Sequence, residues 1–280
     1  MMNYSEPSYT TVEDILSNYE NYLKSKHSAK FKSFSNLRNE NIESARAEAV
    51  VFSILRQLNL NPVPIEERNE RCMDFQCDKN GQQFYVEVTN ISCDKMEDYT
   101  GLPHNENNFK CAFRFPTKEL QQHVINKTCQ MSSGGDLPRV LAVTTHHRYP
   151  LDAGAVKELM ANTYVYQPFN NIAAGAQIVT DLKESVFFRF NAEKSSIEPC
   201  RRSISAIILI NIQADRSKIM GLLHPEPSVY FPVDLMENVP FLKIRNWPLR
   251  CINNEIETEF VMSNVQPLPV LHVCQLNQNK

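Results

Sequence analysis

Two acids, Asp74 and Glu87, are the residues whose type and spacing most clearly predict chemistry. They lie in the segment RCMDFQCDKNGQQFYVEVTNI, residues 71–91, which consists of two mostly apolar stretches on either side of Asn80-Gly81. Asn-Gly favours a type I′ hairpin turn because both residues tolerate positive φ. With these two residues as the turn, Asp74 is predicted to lie directly opposite Glu87.

Opposed carboxylates on a hairpin need a balancing charge. Directly opposite strand residues have Cβ atoms about 4.5–5.5 Å apart, and like charges there are destabilising. A cation must therefore lie between the two acids, or one acid must take a proton. Hard carboxylate oxygens suit Mg²⁺, which commonly uses one or two carboxylates and fills its other positions with water and phosphate oxygens. We predict a divalent metal site; the alternative is an exposed hairpin face on which both acids splay into solvent.

The same register predicts an apolar face on this hairpin. Alternate residues of a strand point to one face of the sheet. The predicted apolar pairs are Cys77 with Phe84, Phe75 with Val86, and Met73 with Val88.

Two predicted helices precede the hairpin. The first begins with a predicted capping box, in which Thr10 is followed three residues later by Glu13. The second spans about residues 41–59, and its apolar residues recur at helical spacing. Glu48 lies at the border of that apolar face, so it points either to solvent or along the core edge into a cleft.

A further helix, predicted at about residues 118–131, follows the hairpin. His123, Lys127 and Gln130 run beside its apolar stripe at i, i+4 and i+7. This polar row is either a solvated flank or a set of side chains that face the same cleft as the two carboxylates.

This constellation resembles the PD-(D/E)xK, or restriction-endonuclease-like, nuclease superfamily. The matching features are a helix with Glu48, a strand pair with Asp74 and Glu87-Val88-Thr89, a helix with Lys127 and Gln130, and the strand PRVLAVTT. The resemblance covers roughly residues 40–145. It implies an α/β fold with an αβββαβ core, in which a mixed sheet is flanked by helices, with N- and C-terminal extensions.

The resemblance also implies roles for these residues. Asp74 and Glu87 would bind Mg²⁺ or Mn²⁺, the Val88 carbonyl would be a third ligand, and Glu48 would support the metal cluster. The implied chemistry is phosphodiester hydrolysis, in which the metal lowers the pKa of its bound water and neutralises charge on the scissile phosphate.

The sequence departs from the family pattern at two positions. Met73 stands where proline is usual, and Thr89 stands where the family has a lysine two residues after the glutamate. Threonine cannot supply that positive charge. Lys127 is the favoured substitute, with Lys95 as the alternative, and Gln130 could orient water or phosphate.

A local basic segment is the candidate nucleic-acid contact. The formal net charge of −3 excludes a uniformly basic protein. Residues 24–39, KSKHSAKFKSFSNLRN, contain no acid and place two phenylalanines among basic side chains. Such a segment suits contact with a phosphate backbone, and the alternative is a solvated basic loop. The candidate residues are Lys24, Lys26, Lys30, Lys32 and Arg38.

The order of predicted elements indicates one domain. Strands are predicted at residues 138–145, 185–191 and 205–212 from their β-branched and apolar content. The predicted division is an N-terminal helical and basic extension at 1–39, a nuclease-like core at 40–215, and a C-terminal extension at 216–280 packed on the core.

Several other classes of protein fit poorly. None of the seven glycines lies in a dinucleotide-binding or P-loop pattern, and the eight cysteines include no CxxC pair, which argues against zinc. The longest purely apolar run, AIILI, is too short to span a bilayer, and the polar N-terminus lacks a signal pattern. We expect a cytoplasmic protein that does not enter a membrane.

The function predicted from these features is a Mg²⁺-dependent nuclease. DNA is favoured over RNA as substrate, restriction or anti-phage defence is the expected role, and a homodimer or a defence-system protein is the expected partner. One alternative is a catalytically inactive module of the same fold that binds nucleic acid or a protein. Another is hydrolysis by a nucleophilic cysteine or by His146-His147, which is disfavoured because adjacent strand residues point to opposite faces.

Overall fold

The computed structural model of the chain describes residues 11–66, 73–104, 117–131, 136–149, 151–160, 162–165, 177–180, 185–212, 219–248 and 257–263. Its helices are α1 (Val12–Lys26), α2 (Ser28–Glu40), α3 (Ile42–Gln57), α4 (Cys93–Thr100), α5 (Thr117–Gln130) and α6 (Ala153–Leu159). The predicted helices at about 41–59 and 118–131 are therefore confirmed as α3 and α5. Within these ranges, no helix is long and apolar enough to cross a membrane.

One mixed sheet organises the described residues. Its strands, in spatial order, are β1 (Val63–Pro64), β2 (Phe75–Lys79), β3 (Gln82–Ile91), β4 (Arg139–Thr145), β9 (Ala206–Asn211), β10 (Ile219–Leu223), β11 (Phe241–Ile244) and β12 (Thr258–Val261). β3 pairs parallel with β4, and β4 pairs parallel with β9. On the other side of β3, β2 pairs antiparallel with β3 and β1 pairs antiparallel with β2. The predicted α/β class, with a mixed sheet flanked by helices, is confirmed.

Among the residues that the structure describes, two antiparallel strand pairs lie outside the main sheet. The first joins β5 (Asn162–Val165) to β6 (Gln177–Thr180), and the second joins β7 (Phe188–Asn191) to β8 (Ser196–Pro199). The strand predicted at 185–191 is thus correct only from Phe188 onward, because residues 185–187 form a turn. The strands predicted at 138–145 and 205–212 are confirmed as β4 and β9.

Side chains on the two faces of the sheet pack against different helices. Phe84, Val86 and Ala142 face the layer formed by α1, α2 and α3. Leu141 and Val143 face the opposite layer, where α5 and α6 pack. Because side chains alternate along a strand, β4 is buried along its whole length, as is typical of a central strand in a parallel group.

The hairpin forms at the turn that the sequence predicts. Asn80 and Gly81 have φ values of 57° and 79°, the positive values that a type I′ turn requires. Phe75 pairs with Val86, as predicted. Met73 is a correction, because it packs with the α5 side of the sheet whereas Val88 packs with the α3 side.

The N-terminal segment is helical and packs on the core. The basic stretch at 24–39 forms the end of α1 and most of α2, which excludes the alternative of a solvated basic loop. The predicted capping box of Thr10 and Glu13 is wrong, and Thr10 lies outside the described residues. The capping box is formed by Thr11 and Asp14: the Thr11 hydroxyl accepts from the Asp14 N–H at 3.1 Å, and the Asp14 carboxylate accepts from the Thr11 N–H at 2.9 Å. Glu13 instead accepts a hydrogen bond from Arg46 of α3 at 2.7 Å.

The C-terminal strands extend the same sheet. β10 pairs with β9 across the boundary predicted at residue 215, and β11 and β12 continue outward from it. On the other side of the predicted core, α1 and α2 contribute Leu16, Tyr19 and Phe34 to the cluster that also contains α3 residues. The proposed division at 39 and 215 stays a prediction about organisation.

Candidate metal and active site

The candidate site lies where β2 and β3 separate. The described ladder between them ends at Phe75 paired with Val86, while β3 continues to Ile91 alongside β4. Asp74 lies at this fork, and its backbone N–H donates to the Val86 carbonyl at 3.1 Å. Asp74 is therefore not a ladder partner of Glu87, in contrast to the predicted direct opposition.

The Asp74 carboxylate is held against the edge of β3. Its Oδ2 accepts a hydrogen bond from the Val88 N–H at 2.8 Å. Because the N–H and C=O of one strand residue point to the same side of the strand, the Val88 carbonyl is directed toward the same edge. The Asp74 carboxylate and the Val88 carbonyl thus lie at the same edge of β3.

Glu87 faces α5 and meets the predicted lysine there. Lys127 Nζ lies 3.2 Å from Glu87 Oε1. The Glu87 side chain is 12% exposed. Burial together with the negative charge of Asp74 raises its pKa to about 7, while Lys127 opposes that rise. The structure therefore brings Lys127, Glu87 and Asp74 into one electrostatic group.

Thr89, at which the predicted nuclease motif would have a lysine, lies two residues after Glu87 on β3. It is buried, and its Oγ1 is 2.8 Å from Nε2 of His123. Burial, with the charges of Lys95 and Lys127, lowers the pKa of His123 to about 4, so the imidazole is neutral at neutral pH. His123 belonged to the predicted polar row but had no assigned role, whereas Lys95 is exposed on α4.

On the opposite side of the sheet, Glu48 bonds two residues that sequence reasoning did not connect to it. Lys30 Nζ lies 3.3 Å from Glu48 Oε1 and 3.5 Å from Asp74 Oδ1. Tyr19 donates its hydroxyl hydrogen to Glu48 Oε1 at 2.9 Å. Burial and the charge of Asp74 raise the pKa of Glu48 to about 7, against the lowering effect of Lys30 and Tyr19.

Lys30 is the largest correction to the predicted nucleic-acid contacts. It is only 6% exposed and forms internal ion pairs, so it is not a surface contact for a phosphate backbone. The signal for this was present in the sequence, because Phe34 lies four residues later on the same face of α2 and is also buried.

The other members of the basic set lie on the surface. Lys24, Lys26 and Lys32 are exposed on α1 and α2. Arg38 is partly buried and forms an ion pair with Glu20 of α1. Gln130 ends α5, and its side chain lies outside the described residues.

The donor set fits a hard divalent cation. Asp74 lies close enough to raise the pKa of both Glu48 and Glu87, and Lys30 and Lys127 pair with these three acids, which leaves a negative balance when all five are ionised. An added cation would relieve the repulsion and burial that raise the pKa of both glutamates, and carboxylate and carbonyl oxygens are the ligands that Mg²⁺ prefers. In the described part of the chain, no three Asp, Glu, His or Cys side chains form a ready-made coordination cluster.

The alternative sites have structural explanations. His146 bonds the Glu43 carbonyl at 3.1 Å, and His147 accepts from the Tyr149 N–H at 3.0 Å and contacts the Leu102 carbonyl. The imidazoles of His146 and His147 therefore bond backbone groups of α3 and of the loop after α4.

The buried thiols lack the character of nucleophiles. Burial raises the pKa of both Cys77 and Cys93 to about 12, which keeps them protonated near neutral pH. A thiolate is the nucleophilic form of cysteine. These contacts and pKa shifts argue against a hydrolase based on His146-His147 or on either of these cysteines.

Comparison of the chain with protein-family models, with curated proteins and with solved structures found no significant match.

Proposed function

We propose that this protein is a metal-dependent nuclease with a restriction-endonuclease-like core. The observation that carries the proposal is the ion pair between Lys127 and Glu87, at 3.2 Å, beside the Asp74 carboxylate. The Thr89 position lacks the lysine that such a site requires, and an ammonium group from α5 reaches the same glutamate. A site of this kind without a lysine at position 89 can be active only if another element supplies the positive charge, and Lys127 of α5 is placed to do so.

The order of elements supports the same proposal. α3, β1, β2, β3, α5 and β4 follow one another in the order α-β-β-β-α-β, with α4 as an addition between β3 and α5. Glu48 lies on the helix, Asp74 and Glu87 on the hairpin, and Lys127 on the following helix. Glu48 on α3, Glu87 on β3 and Asp74 directly before β2 are compatible with the order of elements that the resemblance implies.

The residues of this site have distinct roles in the proposed reaction. Asp74, Glu87 and the Val88 carbonyl would hold Mg²⁺ or Mn²⁺, which supplies an acidified water and charge neutralisation at the phosphate when it is bound. The Lys127 ammonium lies beside Glu87, where it can orient the attacking water and counter the negative charge that develops on the phosphate.

DNA is the proposed substrate class, and a restriction or anti-phage role is the proposed context. The exposed lysines Lys24, Lys26 and Lys32 support a local phosphate contact on an otherwise acidic protein. A homodimer, which would cut both strands of a duplex, or a defence-system partner remains part of this proposal, as does a cytoplasmic location.

A cleavage assay tests the proposal. Purified protein is incubated with plasmid, linear duplex, single-stranded DNA and RNA, each with Mg²⁺, Mn²⁺ or EDTA. We expect metal-dependent cleavage of DNA that is lost in Asp74→Asn and Glu87→Gln. Asp78→Asn is the matched control, because Asp78 lies on the same hairpin and its Oδ1 bonds the turn N–H of Gly81. Equal cleavage by the wild type and both site variants would overturn the assignment.

A second candidate function has its own supporting observation. Lys30 and Lys127 already pair with all three acids, so the region can be held together without a metal ion. A catalytically inactive module that binds nucleic acid or a protein would retain such a network. No cleavage by wild type, combined with DNA binding that is insensitive to EDTA, would favour this function.

A further inference from the structure

The position of Lys30 between two acids of the proposed metal site has a consequence for how many ions the site holds. Its Nζ lies 3.3 Å from Glu48 Oε1 and 3.5 Å from Asp74 Oδ1. In two-metal nuclease sites the ions lie about 3.5–4 Å apart and share a carboxylate. The Lys30 ammonium occupies the space between Glu48 and Asp74, where a second ion sharing Asp74 would have to bind.

We propose that Lys30 is a built-in cation that replaces a second metal ion, so that the site binds one divalent ion, between Asp74 and Glu87. This inference rests on the proposed function, because it assumes that Asp74 and Glu87 bind metal. It makes Lys30 a positioning residue, since its contacts are with the carboxylates.

Burial holds the Lys30 ammonium at this position. The side chains of Lys30 and Glu48 are each 6% exposed, and Tyr19 donates a hydrogen bond to the same Glu48 oxygen that Lys30 contacts. A lysine held this way cannot leave without stranding a buried carboxylate. A divalent ion placed beside the ammonium would be repelled by it at short range.

The charges point to the same number of ions. Lys30 compensates Asp74 and Glu48 on the α3 side, and Lys127 lies beside Glu87 on the α5 side. One divalent ion makes the group of three acids and two lysines mildly positive, which suits a phosphodiester, whereas two ions would leave a large positive excess.

The test is a count of bound ions with a readout that is independent of cleavage. Mn²⁺ is titrated into the full chain, and stoichiometry is measured by calorimetry and by electron paramagnetic resonance, which also detects coupling between neighbouring Mn²⁺ ions. We expect one ion per chain without Mn–Mn coupling in the wild type. In Lys30→Met we expect a second, coupled ion between Glu48 and Asp74.

Two variants keep the test decisive. Lys30→Arg retains the positive charge and is expected to bind one ion, whereas Lys32→Met removes an exposed lysine from the same helix and is expected to leave the count at one. Two coupled ions in the wild type, or one ion in a folded Lys30→Met, would overturn the inference and leave the nuclease proposal standing. No bound ion in the wild type would instead overturn the proposed metal site.

Discussion

Lys127 of α5 and Glu87 of β3 form an ion pair, with 3.2 Å between Nζ and Oε1, although forty residues separate them in the chain. The pair forms because α5 packs on the face of the sheet that Glu87 shares with Thr89. It supplies a positive charge to the candidate site at the place where Thr89 cannot.

Removing that charge should impair the proposed reaction. We expect Lys127→Met to lower the single-turnover cleavage rate on the order of 100-fold, the usual cost of losing one electrostatic contact to a transition state. Lys118→Met, which removes an exposed lysine from the same helix, should cleave at the wild-type rate. Wild-type cleavage by Lys127→Met would exclude the relocated lysine and direct attention to Lys95.

Placing a lysine at position 89, where the proposed nuclease motif would have one, should destabilise the protein unless Lys127 is removed. In Thr89→Lys, a new ammonium would be buried beside the neutral His123 and near Lys127, so we expect a loss of several kcal/mol in the free energy of unfolding. In the double variant Thr89→Lys with Lys127→Ala, one cation again faces Glu87. The cleavage rate of the double variant should exceed that of Lys127→Ala. An equal or lower rate would contradict the idea that Lys127 does the work of a lysine at position 89.

Metal binding should stabilise the fold through Asp74 and Glu87. An ion at about one hundred times its Kd stabilises the native state by about 2.7 kcal/mol, which raises the melting temperature by several degrees. We expect this shift with Mn²⁺ or Mg²⁺ in the wild type and in Asp78→Asn, and its loss in Asp74→Asn and in Glu87→Gln. Differential scanning calorimetry measures it, and a shift that persists in the site variants would place the ion elsewhere.

In the metal-free protein, Glu48 and Glu87 should contribute less to the free energy of unfolding as pH rises through the weakly acidic range, whereas buried histidines of lowered pKa, such as His123 and His224, act in the opposite direction. Burial and the charge of Asp74 raise the pKa of Glu48 and of Glu87 to about 7. Between the ordinary carboxyl pKa, about 4.3, and about 7 the folded state binds more protons than the unfolded chain. The free energy of unfolding contributed by these two groups therefore falls as pH increases across that window and levels off above it.

Urea unfolding in EDTA at a series of pH values measures this dependence. The matched protein is the double variant Glu48→Gln with Glu87→Gln, which keeps the histidines. Its free energy of unfolding relative to the wild type should increase between about pH 4.5 and 7, because the declining contribution of the two glutamates is absent. An unchanged slope in the double variant would assign the dependence to other groups.

A substitution at Gly221 of β10 tests the pairing of β10 with β11. A Cβ atom added there would lie 2.1 Å from the ring of Phe241 on β11, which is too close for the side chain to be accommodated without movement. We expect Gly221→Ala to lower the free energy of unfolding by about 1–3 kcal/mol. Adding Phe241→Leu should recover part of that loss in urea titrations; a neutral Gly221→Ala would contradict the pairing of β10 with β11.

The sequence determined the parts of this protein that depend on local physics. The Asn80-Gly81 turn and the pairing of Phe75 with Val86 follow from residues adjacent in the chain, because a two-residue turn sets the register. The helices α3 and α5 follow from their apolar periodicity, and the position of Lys127 one turn from His123 follows from the same spacing.

The tertiary structure decided which of these residues meet. Periodicity identifies the buried face of α2 but not the surface that it covers, so Lys30 was predicted to bind phosphate and instead pairs with Glu48 and Asp74. The sequence also could not predict that Asp74 leaves the β2–β3 ladder, because its position depends on the hydrogen bond between its carboxylate and the Val88 N–H. Burial fixes the protonation behaviour of the site, and burial exists only once α2, α3 and α5 have packed on the sheet.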